Sequence, residues 1–211
     1  MALETVRNIV KSKSVVVVGS APLSQLDHQH ITEAQVIVCV NGAIGSITHN
    51  PDIWVVNSRE YDDDLWNDPT RWTPERKLLH AAMLHQAANK HIRHVVFIKK
   101  APTSIQTIEK LKAQHTSWRA QTEIKHALKV QIGLKAGIRN PGTAFNVSAG
   151  LWSTCLILGM KPSQVRLVGF SFHNNYSYLA DAPPDTRKHI AQDQEALAQI
   201  LTTHPQLIVD L

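Results

Sequence analysis

The side chains best suited to proton transfer lie close together late in this sequence. His173, Tyr176 and Tyr178 follow an apolar run that ends at Phe172. Imidazole and phenol groups in such a cluster can donate hydrogen bonds to a leaving phosphate as its negative charge develops. His189 follows at the predicted beginning of a helix, where the helix dipole disfavours an imidazolium, so we predict a neutral imidazole that accepts a proton. A solvated polar loop also explains the cluster at 173–178, and the residues alone leave both interpretations open.

Two apolar runs near the beginning of the chain end in residues suited to a phosphate. Residues 15–18 lead into the turn Gly19-Ser20-Ala21, and residues 36–40 lead into Asn41-Gly42. In an open α/β sheet, the carboxyl ends of adjacent parallel strands of this kind can form a nucleotide-binding site. The turn contains neither the G-x-G-x-x-G motif of dinucleotide-binding proteins nor the G-x-x-x-x-G-K-[ST] motif of P-loops. The sequence therefore supports neither an NAD site nor a Walker-type NTPase. An ordinary strand-to-helix turn stays open.

Gly142 and Thr143 indicate the start of a further helix. The sequence predicts that Thr143 caps the first backbone amides and that the small residues Ala144 and Ser148 let the helix pack closely on a sheet. The amino end of a helix favours anions, so a phosphate or nucleoside is expected against these amides and the Thr143 hydroxyl. A capped core helix without a ligand is the alternative.

Strand and helix patterns alternate along the whole chain, and this alternation predicts how these residues are positioned. Predicted strands lie near residues 14–19, 35–40, 52–57, 93–98, 164–170 and 206–210, and predicted helices near 74–90, 103–114, 143–158 and 187–203. We predict a single α/β domain over residues 1–211, with a doubly wound, mostly parallel Rossmann-like sheet and helices on both faces. An irregular stretch at about 172–187 is predicted to form a short lid.

Composition limits the partners and the compartment. A net charge of +5 favours anionic ligands such as nucleotides, acidic glycans or nucleic acid. No run approaches the ~20 apolar residues that span a bilayer, and the first ten residues carry charges where a signal peptide is apolar. We therefore expect a cytoplasmic protein, with peripheral binding at the inner membrane face left open. Cys39 and Cys155 lie within apolar segments without C-x-x-C spacing and are predicted to be buried.

The order of the motifs resembles the bacterial α2,3/α2,8-sialyltransferase family. The segments that carry the resemblance are Val-Gly-Ser-Ala-Pro-Leu-Ser at 18–24, Cys-Val-Asn-Gly at 39–42, Val-Val-Asn at 55–57, Gly-Thr-Ala at 142–144, Leu-Val-Gly-Phe-Ser-Phe at 167–172 and His-Ile-Ala-Gln-Asp-Gln-Glu-Ala-Leu at 189–197. The resemblance implies a Rossmann-like sheet with a flexible lid and CMP-sialic acid bound at the strand ends. It also implies an inverting transfer that needs no metal.

The resemblance assigns a nucleotide-sugar-binding set. Ser20 stands where the family has an asparagine, Asn41 and Asn57 match two nucleotide-sugar-binding asparagines, and Thr143 matches a nucleotide-contacting serine. The full set implied by the matching motifs is Gly19, Ser20, Ala21, Asn41, Asn57, Gly142, Thr143, Gly169, Phe170 and Ser171.

Three residues receive catalytic roles from the same resemblance. Tyr178 matches one of the family's two tyrosines on the departing phosphate, His173 takes the place of the other, and His189 matches the general-base histidine. The serine at position 20, the histidine at 173 and the short lid depart from the family pattern, so the donor sugar stays open.

Other functions remain open on the sequence. The glycine turn, the Asn-Gly and the Leu-Val-Gly-Phe segment also resemble the 6-hydroxymethylpterin diphosphokinase-like family, which implies pyrophosphate transfer from ATP with magnesium, although Asn57-Ser58 is neutral where that chemistry wants a carboxylate. A UDP-sugar-dependent transferase acting on an anionic acceptor such as modified nucleic acid could use Asp62-Asp63-Asp64 as metal ligands, for which a solvated turn is the preferred interpretation. Dispersed tryptophans also permit a non-catalytic nucleotide-binding module.

Metal and partner expectations follow from the same residues. His80, His85, His91 and His94 are close in sequence, but their spacing fits neither a helical H-x-x-x-H pair nor a zinc finger. We therefore expect no metal site and no cofactor other than the nucleotide-sugar donor. The expected partners are that donor and a glycan acceptor, with a nucleic-acid acceptor and a homo-oligomer left open.

Overall fold

One parallel sheet organises the computed structural model, which describes residues 2–57, 74, 85, 88–99, 109, 113, 118–125, 127–172 and 189–210. The strands found in these ranges are β1 (Ser14–Val18), β2 (Val36–Val40), β3 (Ile53–Asn57), β4 (Ile92–Lys99), β5 (Trp118–Lys125), β6 (Gln164–Val168) and β7 (Leu207–Val209). They are ordered β5-β4-β3-β2-β1-β6-β7, and every neighbouring pair is parallel. The predicted doubly wound α/β architecture is confirmed.

Helices cover both faces of the sheet. The helices whose bounds fall within the described ranges are α1 (Ala2–Val10), α2 (Gln25–Glu33), α3 (Leu128–Lys135), α4 (Pro141–Asn146), α5 (Ala149–Leu158), α6 (Ile190–Thr203) and a 3₁₀ helix over Asn41–Ser46. Helices α1, α5 and α6 contribute to the core on one face, which also contains Val15 and Val17. Helix α2 and the 3₁₀ helix contribute to the core on the other face, with Val16 and Val18. Because β1 is buried on both faces, its sequence is continuously apolar rather than alternating.

Strand β5 was not predicted, because its sequence does not resemble a buried strand. It lies at one edge of the sheet next to β4. Arg119, Glu123 and Lys125 are exposed, while Thr122 and Ile124 are buried. Charged and amide side chains on the exposed face remove the apolar run that identified the inner strands.

Several helix predictions were wrong or incomplete. Helices α1, α2 and α3 were not predicted, although Ser24 and Asp27 form a capping box at the start of α2, where Ser24 Oγ accepts from Asp27 N at 3.1 Å. The single helix expected over 143–158 is two helices, α4 and α5, separated at Val147 and Ser148. The second begins where Ser148 Oγ accepts from Leu151 N, because a capping serine favours a new helix start.

The predicted helices at 74–90 and 103–114 lie mostly outside the described residues, and so does the predicted lid beyond Phe172. Within the described ranges, no helix is long and apolar enough to cross a lipid bilayer.

The loops after β1 and β6 are in direct backbone contact. The chain proceeds from β1 across to β5 and then returns to β6 on the other side of β1, so the strand order reverses between β1 and β6. Gly169 has a left-handed backbone with φ of 64°, and a Cβ added to it would lie 2.8 Å from Leu23 Cδ2 and 2.9 Å from Gly19 O. A Cβ added to Gly19 would lie 2.4 Å from Gly169 O. Both positions therefore require glycine.

We expect Gly169→Ala to lower the free energy of unfolding by about 2–4 kcal/mol, because it adds left-handed strain to an overlap with Leu23 and the Gly19 carbonyl. Urea denaturation measures this. Gly159→Ala is the matched control: Gly159 has φ of −61°, and its added Cβ would meet only carbonyl oxygens at 3.5 and 3.6 Å. The control should change stability by less than about 1 kcal/mol. Equal stability of the two variants would contradict this account of the contact.

Candidate functional site

Most of the predicted nucleotide-sugar-binding residues lie along the edge of the sheet that is formed by the carboxyl ends of its strands. They follow the carboxyl ends of four adjacent strands, namely Asn57 at β3, Asn41 after β2, Gly19–Ala21 after β1 and Gly169–Ser171 after β6. In open α/β sheets, ligands bind outside the carboxyl ends of the strands where the strand order reverses. The reversal lies between β1 and β6, so this edge is the candidate functional site.

The predicted phosphate-binding turn is held by the last residue of β6 and the loop that follows it. Gly19 N donates to Val168 O at 2.9 Å, and Ala21 N donates to Gly169 O at 2.8 Å. Two backbone donors of the turn are therefore committed to the fold. Ser20, which is half-buried, is the residue of this turn that we expect to contact a phosphate.

Asn41 links the ends of β2 and β3. It has a left-handed backbone with φ of 48°, a conformation that asparagine tolerates better than most residues. Its Oδ1 accepts from Asn57 N at 2.8 Å, and its backbone oxygen accepts from Trp54 Nε1 at 2.8 Å. The two predicted asparagines are therefore neighbours, and Asn41 has a structural role that sequence reasoning missed.

The aromatic ring of Phe170 lies between two glycines. A Cβ added to Gly150, in the first turn of α5, would lie 2.7 Å from Phe170 Cε1, and one added to Gly19 would lie 3.0 Å from Phe170 Cδ2. The ring also stacks on Phe172, with centroids 5.8 Å apart. Phe170 thus packs the start of α5 against the turn after β1.

The expectation that Thr143 caps its helix was wrong. Asn140 is the cap of α4: its Oδ1 accepts from Gly142 N at 2.8 Å and from Thr143 N at 3.4 Å. The dipeptide Asn140-Pro141 is a typical helix start and could have identified the cap. Thr143 is 5% exposed, and its Oγ1 donates to Glu195 Oε2 at 3.0 Å. A role of Gly142 and Thr143 in nucleotide binding stays a prediction.

His189 lies at the beginning of α6, as predicted. It is the residue before the first helical turn, its side chain is exposed, and that side chain does not cap the helix. Its backbone oxygen accepts from Asp193 N at 2.8 Å. The other two predicted catalytic residues, His173 and Tyr178, lie outside the described residues.

Two side chains fix the first turns of α6 at the same edge of the sheet. Asp193 is 4% exposed, and its Oδ1 accepts from Ser148 N at 2.7 Å. Gln194 Nε2 donates to Phe172 O at 2.7 Å. Because Phe172 lies three residues after Gly169, α6 begins beside the loop that contacts Gly19. Sequence reasoning missed both bonds because their partners are 45 and 22 residues away.

The two cysteines and His94 are buried in the core. Burial raises the pKa of the Cys39 thiol and raises the pKa of Cys155 to about 12, so neither supplies a thiolate near neutral pH. The prediction that both are buried is confirmed. His94 is buried with Nε2 2.7 Å from Thr122 Oγ1, and burial lowers its pKa. In the described part of the chain, no group of three or more potential ligands could hold a metal.

Several other predicted residues belong to segments outside the described part of the chain. Asp62–Asp64 and His80, like His173 and Tyr178, lie outside the described residues. Their roles stay as predicted from the sequence.

Comparison with known proteins identifies relatives of the fold only. No protein-family model matches the sequence, and no curated protein matches it. Among solved structures, a variant of the Campylobacter jejuni sialyltransferase Cst-II in complex with CMP matches 93% of this chain and 80% of its own chain, with a TM-score of 0.53 and 10% identity. The monofunctional α-2,3-sialyltransferase Cst-I from Campylobacter jejuni matches 94% and 75%, with a TM-score of 0.53 and 10% identity.

A Cst-II structure with a trisaccharide acceptor and CMP has a TM-score of 0.50 with this chain at 10% identity, covering 93% of this chain and 80% of that one. Structural similarity at such low sequence identity shows a shared fold only. The resemblance to the 6-hydroxymethylpterin diphosphokinase-like family receives no support from these neighbours.

We expect Asn41→Ala to lower the free energy of unfolding by about 2 kcal/mol, because it leaves the Asn57 N–H without its acceptor and adds left-handed strain. Asn41→Asp keeps both an oxygen acceptor and tolerance of positive φ, and its stability should stay close to that of the wild type. Thermal and urea unfolding measure both variants. A stable Asn41→Ala protein would show that the bond between β2 and β3 contributes little.

Proposed function

We propose that this protein is a sialyltransferase-like glycosyltransferase that uses a CMP-linked sugar donor and transfers the sugar with inversion and without a metal. The observation that carries the proposal is the convergence of predicted site residues at the reversal of strand order. The fold similarity supports it, because the matched Cst-II structures contain CMP and one also contains a trisaccharide acceptor.

The side chains near the reversal of strand order between β1 and β6 are suited to bind a nucleotide. Ser20 and Asn41 follow neighbouring strands, β1 and β2, and Asn57 ends the next strand. Hydroxyl and amide groups at strand ends can bond to the phosphate and sugar of a nucleotide without a strong local charge. A CMP-sugar carries one phosphate, so neutral donors and the positive net charge of +5 suffice in this proposal.

His189 serves as general base in the proposed reaction. The oxygen of an acceptor hydroxyl forms a bond to the anomeric carbon of the donor, and the bond between that carbon and the phosphate oxygen breaks. CMP leaves with the electron pair, and the hydroxyl proton passes to the imidazole of His189. His173 and Tyr178 would donate hydrogen bonds to the departing phosphate. The acceptor is a glycan hydroxyl in the preferred form of the proposal.

We expect CMP to raise the Tm without magnesium, because a ligand that binds only the native state stabilises it, by about 2.7 kcal/mol at a concentration 100 times its Kd. A thermal-shift panel of CMP, CDP, UDP, ADP and GDP, each with magnesium or EDTA, measures this. A magnesium-dependent response to ADP would favour pyrophosphate transfer, and one to UDP would favour a metal-dependent transferase. No response to any nucleotide would contradict a nucleotide site.

We expect His189→Ala to lower the turnover of CMP-sialic acid about 10²–10⁴-fold, because it removes the proton acceptor, while the CMP-induced rise in Tm stays near that of the wild type. Release of CMP in the presence of a panel of oligosaccharide acceptors measures turnover. His91→Ala is the matched control, since His91 is exposed and directly precedes the amino end of β4, at the opposite edge of the parallel sheet. Full turnover in His189→Ala would remove the proposed base.

A further inference from the structure

Three consecutive residues of α6 bond to three separate segments of the protein. These anchor residues are Asp193, Gln194 and Glu195, and their partners belong to the start of α5, the loop after β6 and the first turn of α4. Successive residues of an α-helix are rotated by about 100°. The three bonds therefore approach α6 from different sides, and together they oppose both rotation and sliding of its first turns.

Each anchored segment adjoins the candidate site. Thr143, the partner of Glu195, is itself a predicted nucleotide contact. Phe172, the partner of Gln194, directly precedes His173. The third segment begins α5, whose first turn packs on the Phe170 ring.

His189 is attached to the anchored part of the helix by its backbone. Its carbonyl oxygen accepts from the backbone N–H of Asp193 at 2.8 Å. A displacement of the anchor residues would therefore also displace His189. The imidazole does not cap the helix. A separate set of residues therefore has to hold its backbone in position.

We propose that Asp193 and Gln194, with Glu195, are positioning residues that set the location of His189 relative to the nucleotide. The proposal rests on the proposed function for the role of His189, and on the observed bonds for the anchoring itself. The burial of the Asp193 carboxylate against a backbone N–H makes that bond the stronger constraint, since a charged acceptor strengthens a hydrogen bond. Gln194 is largely exposed, so its bond can be removed with little effect on the core.

Amide hydrogen exchange tests the anchoring without any substrate. In Asp193→Ala the Ser148 amide loses its acceptor and should exchange about tenfold or more faster, and Asp193→Asn, which keeps an oxygen acceptor, should restore protection. In Gln194→Met the Asp193 amide should exchange faster while the Tm stays unchanged. Gln192→Met is the matched control in the same turn, because the Gln192 side chain makes no hydrogen bond with the described residues. Unchanged exchange in both Asp193→Ala and Gln194→Met would overturn the anchoring.

Steady-state kinetics test the effect on His189. Misplacement of a reacting group by about 1 Å can cost a rate factor of ~10², so kcat for CMP-sialic acid should fall about 10–100-fold in Gln194→Met and Asp193→Ala. The KM for the donor should stay within about twofold, and Asp193→Asn and Gln192→Met should keep kcat near that of the wild type. A fall in kcat of equal size in Gln192→Met, or wild-type kcat in Gln194→Met, would overturn the positioning role.

The two proposals fail in different measurements. Wild-type protein that neither binds CMP nor turns over CMP-sialic acid contradicts the proposed function and, with it, the positioning of a base. If amide exchange is still faster in the Asp193→Ala and Gln194→Met variants, the anchor residues stabilise the structure but have no role in catalysis. Wild-type turnover together with insensitive variants contradicts the positioning role alone.

Discussion

The backbone contact between Gly19 and Gly169 is the constraint on which the candidate site depends. A single Cβ at Gly19 would lie 2.4 Å from the Gly169 carbonyl oxygen, so any side chain there would separate the loops after β1 and β6. Because these loops touch, Phe170 can pack against both Gly19 and the first turn of α5. The capping residue of α5, Ser148, in turn donates its backbone amide to Asp193. The contact between Gly19 and Gly169 is therefore connected to α6, which begins next to His189, through the packing of Phe170 and the buried carboxylate of Asp193.

The inner part of the sheet could be predicted from the sequence because burial on both faces leaves a continuous apolar run, as in β1 and β2. That pattern does not occur in β5, whose position at the edge lets Arg119 and Glu123 reach solvent. The division between α4 and α5 was also missed. Small and apolar residues continue through it without a change of period, and the break depends on the capping hydroxyl of Ser148.

The site was predictable where one topological rule suffices and unpredictable where it depends on distant partners. Strand ends in a parallel sheet share one edge, so the convergence of Ser20, Asn41 and Asn57 follows from the strand assignments. The bond from Asn41 to Asn57 and the bonds made by Asp193 and Gln194 join residues 16, 45 and 22 positions apart. No local spacing specifies such pairs, because they depend on how helices pack on the finished sheet.

The hydrogen bond between Asn41 and the backbone of Asn57 also fixes the polarity of a side chain that is ambiguous in most proteins. An asparagine amide can usually rotate to present either its oxygen or its nitrogen, but here the oxygen is held by a peptide N–H at 2.8 Å. Rotating the amide by half a turn would place its NH₂ group against the Asn57 N–H and lose this bond. The orientation of the Asn41 amide is therefore set by the protein itself, before any ligand binds.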